Sequence, residues 1–135
     1  MHPIAGTWTA NLEKSKRHAN HQFASATMRF DVSGAVNEIV VLRYGGVNHS
    51  GKDESAAHTM DVDGLERPVP QVPGVVAVAR WAGPRTLETI GKKDGAVVGH
   101  ATYAASEDGA ELVATVKGVD AKGLPFEQVI VFDRI

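Results

Sequence analysis

The segment Gly6-Thr7-Trp8 lies near the start of the chain, and Asp133-Arg134 lies at its end. Between them, glycine-containing turn signals recur at the spacing of an antiparallel β-meander. A barrel built from a meander must pair its first strand with its last, and we call this pairing the seam. A planar guanidinium can stack on an indole and still donate hydrogen bonds to nearby carbonyls. We therefore predict that Trp8 and Arg134 meet at the seam of a β-barrel.

Length and composition indicate one ordinary globular domain spanning residues 1–135. Hydrophobic residues make up 43% and charged residues 22% of the chain, as in typical globular domains. The 14 Lys and Arg residues are scattered among 16 acidic residues, and the only basic cluster is the short run 14–18. This pattern argues against nucleic acid as a partner, because such binders usually carry a longer basic stripe.

The absence of cysteine excludes disulfides, thiolate zinc sites and cysteine nucleophiles. The sequence has no run of about 18 apolar residues, so we predict no membrane span. It also shows no leader in which basic residues precede an apolar stretch. We therefore expect a cytoplasmic protein, or a secreted or periplasmic one if a leader has been removed.

The turn signals divide the chain into about nine predicted strands. These signals are Ser33-Gly34, Ser50-Gly51, Asp63-Gly64, Gly83-Pro84, Asp94-Gly95, Asp108-Gly109 and Lys122-Gly123. The predicted strands cover residues 4–12, 26–32, 36–44, 54–62, 75–81, 86–91, 96–105, 111–117 and 126–134. Short loops make neighbouring strands antiparallel, and a sheet of this size curls and closes. The prediction is an all-β fold, a single antiparallel up-and-down barrel of about 8–10 strands with little or no helix.

Two segments interrupt the strand pattern. Residues 13–23 are polar on all sides and could form either one short helical turn or a flap over the barrel mouth. Residues 66–74 contain Pro68, Pro70 and Pro73, which predicts a stiff, extended connector rather than a central strand.

Alternation along each strand predicts which side chains face the barrel interior. The third and eighth predicted strands are apolar on both faces, so their orientation stays open. In the other informative strands the predicted inward residues are Met28, Phe30 and Val32; His58, Met60 and Val62; Val98, His100, Thr102 and Ala104; and Gln128, Ile130, Phe132 and Arg134.

The Gly-x-Trp element at residues 6–8 resembles the element that opens the first strand of lipocalins and of intracellular fatty-acid-binding proteins. The tail, residues 116–118 and 131–134, is similar to the closing strands of the fatty-acid-binding group. In those families an arginine near the C-terminus covers the tryptophan, and the corresponding residues here are Arg134 and Trp8. The resemblance extends over nearly the whole chain and implies a calycin-like barrel.

Three further segments resemble a group of small bacterial calycin-like proteins. They are Asn-x-x-Lys-Ser at residues 11–15, Lys-Lys-Asp-Gly at residues 92–95 and Gly-x-Asp-x-x-Gly-x-Pro-Phe at residues 118–126. The resemblance implies a fold more than a function.

The chain departs from the fatty-acid-binding proteins in two respects. Those proteins hold a ligand carboxylate with an Arg-x-Tyr pair in the last strand, and the corresponding positions here are Ile130 and Phe132. They also insert two helices after the first strand, where this chain has only the polar segment 13–23. We therefore expect an apolar or aromatic guest without a fixed carboxylate.

Histidines are the main candidates for chemistry. An inward His58 or His100 could orient a polar ligand atom or act as an acid or base near neutral pH. Alternatively, each is a buried histidine bonded to a backbone carbonyl or a threonine. His18 and His21 have a spacing that could share a metal, but no acidic third ligand accompanies them. An inward histidine could also ligate haem, which needs a wide apolar pocket. We predict neither a metal site nor a cofactor.

Two large aromatic residues precede predicted turns, Tyr44 before Gly45-Gly46 and Trp81 before Gly83-Pro84. At the rim of a barrel they could stack on a flat guest, or they could simply pack over one end of the core. Tyr103 is the remaining large aromatic residue with a polar tip.

Two classes of function follow. The first is a protein that binds a small hydrophobic or aromatic molecule inside the barrel. The predicted ligand-binding residues are Met28, Phe30, Tyr44, His58, Met60, Trp81, His100, Thr102, Gln128, Ile130 and Phe132. The second is a cofactor-independent lyase, isomerase or cyclase with His58 and His100 as catalytic acid and base. A homodimer contact at the outward residues Val129 and Val131 is a further possibility.

Overall fold

The computed structural model describes residues 3–16, 23–33, 39–48, 50–69, 73–119 and 123–135. These residues form β-strands and no helix, so no described segment is a helix that could span a membrane. The strands are β1 (Gly6–Lys16), β2 (Phe23–Ser33), β3 (Ile39–Asn48), β4 (Asp53–Asp61), β5 (Arg67–Pro68), β6 (Val75–Gly83), β7 (Thr86–Lys93), β8 (Ala96–Ala105), β9 (Glu111–Val119) and β10 (Pro125–Arg134).

All ten strands belong to one antiparallel sheet with the order β4-β3-β2-β1-β10-β9-β8-β7-β6-β5. Each strand pairs with its neighbour in the chain except at the seam, where β1 pairs with β10. Trp8 lies opposite Arg134 in that ladder. The curled, all-β, calycin-like architecture predicted from the sequence is therefore confirmed.

The barrel is open on one side. Among the described residues, no ladder joins β4 to β5, so the two strands are opposite ends of the sheet. The amide of Gly64 donates a hydrogen bond to the carbonyl of Ala79 in β6 (3.0 Å) across this opening. The proline-rich connector supplies only the two-residue edge strand β5, because a proline has no amide with which to extend a ladder. Residues 66–69 are thus an extended connector as predicted, whereas residues 73–74 form a turn in which Gly74 has φ of 76°. Residues 70–72 lie outside the described residues.

The seam is held by side chains of the Asn-x-x-Lys-Ser segment. Asn11 Nδ2 donates a hydrogen bond to Asp133 (3.1 Å), and Lys14 Nζ lies 2.8 Å from a Glu111 carboxylate oxygen. The register of β1 against β10 shifts between Asn11 and Lys16. At this irregularity the hydroxyl of Ser15 accepts a hydrogen bond from the amide of Val131 (2.9 Å). The hydroxyl replaces the carbonyl that a regular ladder would have offered, so the strand continues through the bulge.

The prediction of a helical turn or flap over residues 13–23 is therefore wrong for residues 13–16, which continue β1. The pattern was misleading because these polar side chains bond to β9 and β10 instead of covering a helix surface. Residues 17–22 lie outside the described residues, and residue 23 begins β2.

The hairpin between β7 and β8 has the geometry expected of its Asp-Gly sequence. Asp94 and Gly95 both have positive φ, 51° and 83°. This is the condition for a type I′ turn, whose twist matches that of the flanking strands. The other two Asp-Gly pairs place only the glycine at positive φ, and they lie in longer connections.

One end of the barrel is filled by a packed core. Trp8, Phe30, Leu87 and Leu112 are fully buried there, each contributing about 1.5–3 kcal/mol through burial. The remaining members of this core cluster are Ile4, Met28, Val40, Leu42, Ala105, Ala114, Ile130 and Phe132. The predicted inward faces of β2 and β10 are thus confirmed, and the open question is answered for β3 and β9: Val40 and Leu42, and Leu112 and Ala114, face inward.

Candidate functional site

A cavity of about 590 Å³ lies at the other end of the sheet. It is bordered by strands β3–β10, with β4 and β5 on either side of the opening. The inner-face residues at its wall are Leu42, His58, Met60, Ala77, Ala79, Thr89, Gly91, Gly99, Ala101, Tyr103, Val116, Gly118 and Phe126. This volume falls within the range of pockets that hold small organic molecules.

The cavity exists because the inward side chains become smaller along β6, β7 and β8 toward this end of the sheet. In β6 the inner face runs from Trp81 at the packed end to Ala79 and Ala77 at the hollow end. In β8 it runs from Tyr103 to Ala101 and Gly99. Gly and Ala at inward positions leave the backbone itself as part of the wall. Residues of both faces therefore border the cavity at this end.

His100 borders the cavity, but its side chain does not face inward as predicted. Ala105 and Tyr103 lie opposite Leu112 and Ala114 of the core, which places the odd-numbered residues of β8 inside. By alternation His100 projects from the outer face. Thr102 and Ala104 share that outer face, so their predicted orientation is also wrong. Val98 lies at the irregularity of the β7–β8 ladder and borders the cavity.

His100 belongs to an ion cluster on the outside of the sheet. Its Nε2 lies 2.8 Å from a carboxylate oxygen of Glu88, and the other oxygen of Glu88 accepts a hydrogen bond from Arg80. The hydrogen bond from His100 and then that from Arg80 hold the pKa of Glu88 below its usual value of 4.5. The catalytic alternative required the imidazoles of His58 and His100 to face the same cavity. Both residues border it, but the His100 imidazole bonds to Glu88 on the outer face, so the two rings project from opposite faces of the sheet.

His58 is on the predicted inner face, opposite Leu42, and it borders the cavity. It is nevertheless exposed, because β4 is the strand next to the opening. The hydroxyl of Tyr44 lies 3.3 Å from His58 Nε2, and the two rings stack with their centroids 5.7 Å apart. Tyr44 does not end its strand as predicted, since β3 continues to Asn48 and includes Gly45 and Gly46.

Tyr103 reaches the cavity from β8, on the opposite wall. Its ring packs edge-on against Phe30 with the centroids 5.3 Å apart. Burial raises the pKa of the Tyr103 phenol above its usual value of 10.0, and the nearby Tyr44 phenol raises it further. The Tyr103 hydroxyl is therefore neutral at physiological pH.

The other predicted ligand-binding residues divide into three groups. Met60 borders the cavity. Gln128 lies opposite Val116 on the inner face. The remaining residues belong to the packed end or pack against it: Met28, Phe30, Trp81, Ile130 and Phe132. Of the histidines, His2, His18, His21 and His49 lie outside the described residues.

Charged residues near the cavity are paired. Arg67, beside the opening, bonds to Asp63 and lies 3.7 Å from an oxygen of Asp61. Lys117 projects from the outer face with its Nζ 3.6 Å from Glu127. Neither pair presents a lone cation to the interior.

Sequence reasoning missed the small residues that make the cavity. Ala77, Ala79, Gly91, Gly99, Ala101 and Gly118 were not proposed as site residues. A usable signal was present, since glycine and alanine are disfavoured in strands and mark places where a ligand or another backbone approaches closely.

A single curled antiparallel sheet, in which the first and last long strands of the chain pair at the seam and the interior is hollow, defines a calycin-like barrel fold. Among solved structures, the fluorescent protein UnaG is similar over 98% of this chain and 97% of its own, with a TM-score of 0.66 and 16% identity. A redesigned β-barrel is similar over 98% and 92% of the two chains, with a TM-score of 0.54 and 11% identity. At such identities the likeness concerns the fold alone.

Comparison of sequences adds no closer assignment. No known family matches this chain, and no curated protein sequence matches it.

Proposed function

We propose that this protein binds a small, neutral hydrophobic or aromatic molecule in the hollow end of its barrel. The observation that carries the proposal is the cavity of about 590 Å³, whose inner wall is built mainly from small and apolar side chains. Transfer of apolar surface from water into such a cavity is the dominant favourable term in small-molecule binding.

The charge distribution supports a neutral guest. Ile130 and Phe132 occupy the positions where the resemblance to fatty-acid-binding proteins would place a carboxylate clamp, and both are buried in the packed end. Arg67 and Lys117, the cations near the cavity, have carboxylate partners of their own. A carboxylate buried here without a counter-ion would cost several kcal/mol in desolvation.

The experiment is a titration with Nile red, a neutral dye whose fluorescence rises and shifts to the blue in an apolar site. We expect the wild-type protein to bind one dye per chain. Ala101→Leu and Gly99→Leu both add side-chain volume to the cavity wall, and each is expected to weaken binding roughly tenfold. A β-carbon at Gly99 would make only an ordinary contact, with the carbonyl of Lys117 at 3.9 Å, so the second variant retains room to fold.

Ala57→Leu is the matched control. Ala57 is exposed and lies opposite Arg43 on the outer face of β4. The control should bind Nile red as the wild type does. Equal affinity in the control and both cavity variants would show that the dye binds elsewhere and would refute the proposal. Native mass spectrometry of protein purified from its own host, in search of a retained guest, is an independent measurement.

A further inference from the structure

The cavity wall carries few polar side chains. On the inner face of the described strands, those that border it are His58, Thr89 and Tyr103. His58 and Tyr103 come from strands on opposite walls, which the curl of the sheet brings together across the hollow end.

The hydroxyl of Tyr103 is available to a guest. It makes no hydrogen bond to any residue within the described part of the chain, and its ring contact is with Phe30. A phenol in an apolar wall keeps its proton and can either donate or accept one hydrogen bond. The hydroxyl is not a buried unsatisfied atom, so in the empty cavity water can bond to it. A guest that displaces this water keeps the hydrogen bond only if one of its own atoms bonds to the hydroxyl, and such a guest is favoured over one without that atom.

His58 and Tyr44 form a second polar group. If Tyr44 donates to His58 Nε2, then Nδ1 carries a proton and can donate. If Nε2 donates to Tyr44, then Nδ1 is an acceptor and the Tyr44 hydroxyl remains a donor. In both tautomers the pair offers one donor and one acceptor beyond its own bond, at the margin of the cavity.

We propose that the guest is a neutral aromatic molecule bearing a carbonyl or hydroxyl oxygen, with that oxygen hydrogen-bonded to Tyr103 and the His58–Tyr44 pair as the second polar contact. This inference rests on the proposed function and names the chemistry of its ligand. A flat ring suits the hollow end because much of its inner wall consists of alanine and glycine, at positions 77, 79, 91, 99 and 101. The oxygen satisfies the hydroxyl that no described side chain satisfies.

The test compares acetylnaphthalene with ethylnaphthalene, which have nearly the same shape but differ in the carbonyl oxygen. Their affinities are measured by displacement of Nile red, and the affinity ratio is compared among variants, so differences in hydration cancel. In Tyr103→Phe the affinity for acetylnaphthalene relative to that for ethylnaphthalene is expected to fall about three- to tenfold, because the hydroxyl that bonds to the carbonyl is gone. His58→Leu and Tyr44→Phe are expected to lower it by less.

Thr102→Val is the matched control, because it removes one hydroxyl from the neighbouring position of β8, on the outer face and away from the cavity lining, and should leave the ratio unchanged. Tyr103→Leu provides a second variant without the hydroxyl if the first is poorly folded. An unchanged ratio in the Tyr103 variants, or an equal fall in Thr102→Val, overturns this inference while the proposed function stands. Failure of the wild type to bind either compound or the dye overturns both.

Discussion

The guanidinium carbon of Arg134 lies 4.1 Å from the centroid of the Trp8 ring, and the two residues are direct partners in the β1–β10 ladder. Arg134 also donates hydrogen bonds to the carbonyls of Ala5 (2.9 Å), Pro3 (2.7 Å) and Gly109 (2.6 Å). The indole nitrogen of Trp8 donates to the carbonyl of Ile4 (3.0 Å). One arginine thus ties the start of the chain to its end and covers the buried indole.

Arg134→Lys should destabilise the fold although it preserves the charge. Lysine cannot stack as a plane or bond to three separated carbonyls, so we expect the free energy of unfolding to fall by about 2 kcal/mol. Chemical denaturation with urea measures this. Arg29→Lys is the control, since Arg29 is exposed and its one ion-pair partner within the described ranges is Asp31; its effect should stay within about 0.5 kcal/mol. Equal effects would contradict a special role for Arg134.

Gly6→Ala should also weaken the seam. Gly6 has φ of +127°, and a β-carbon there would lie 2.6 Å from Arg134 Nη1. The guanidinium would have to move away from the carbonyl of Ala5, so we expect a loss of about 2–3 kcal/mol. Gly95→Ala has a positive φ of 83° but open space around the new β-carbon, so it should cost only about 1 kcal/mol. Similar losses in the two variants would argue against the steric explanation.

Ser15→Ala tests the side-chain bond that carries β1 through its bulge. The variant leaves the amide of Val131 without its acceptor, at an expected cost of about 1–2 kcal/mol. Hydrogen exchange at the Val131 amide should accelerate at the same time. Ser55→Ala, in the exposed strand β4, serves as the control and should change neither quantity.

Because of Glu88, the free energy of unfolding depends on pH in the acidic range. Its folded pKa is lowered from 4.5, so its contribution is fully present above pH 4.5 and is lost as the pH falls through the lowered folded value. Glu88→Gln lacks this contribution. Between pH 7 and strongly acidic pH, the Tm of the wild type should therefore fall further than that of the variant, as followed by circular dichroism. Parallel declines would show that the cluster with His100 and Arg80 does not contribute.

Much of the architecture could be predicted because its signals are local. The Asp94-Gly95 hairpin follows from the backbone freedom of its residues, and the face of β2 follows from strict alternation at Met28, Phe30 and Val32. The site was harder to predict. Strand β8 carries small or apolar residues on both faces, so alternation alone could not distinguish His100 from Ala101 as the inward residue.

The orientation of β8 depends instead on its register with β9, where Leu112 and Ala114 belong to the core. A register shift of one residue would turn every side chain of the strand to the other face. Likewise, the His58–Tyr44 contact depends on how β3 and β4 pair, which no spacing in the chain specifies. The homodimer contact at Val129 and Val131 stays a prediction.

The sequence by itself determined that this is a meander of short-looped strands whose first and last members carry Trp8 and Arg134, since turn chemistry and alternation are local properties. Only the tertiary structure decided where the barrel is hollow. A cavity arises where several strands each present a small residue at the same level, as Ala77, Gly91, Gly99 and Gly118 do. That alignment depends on the register of every ladder between these strands. The register of β8 also places His100, which the sequence predicted inside the barrel, on the outer face.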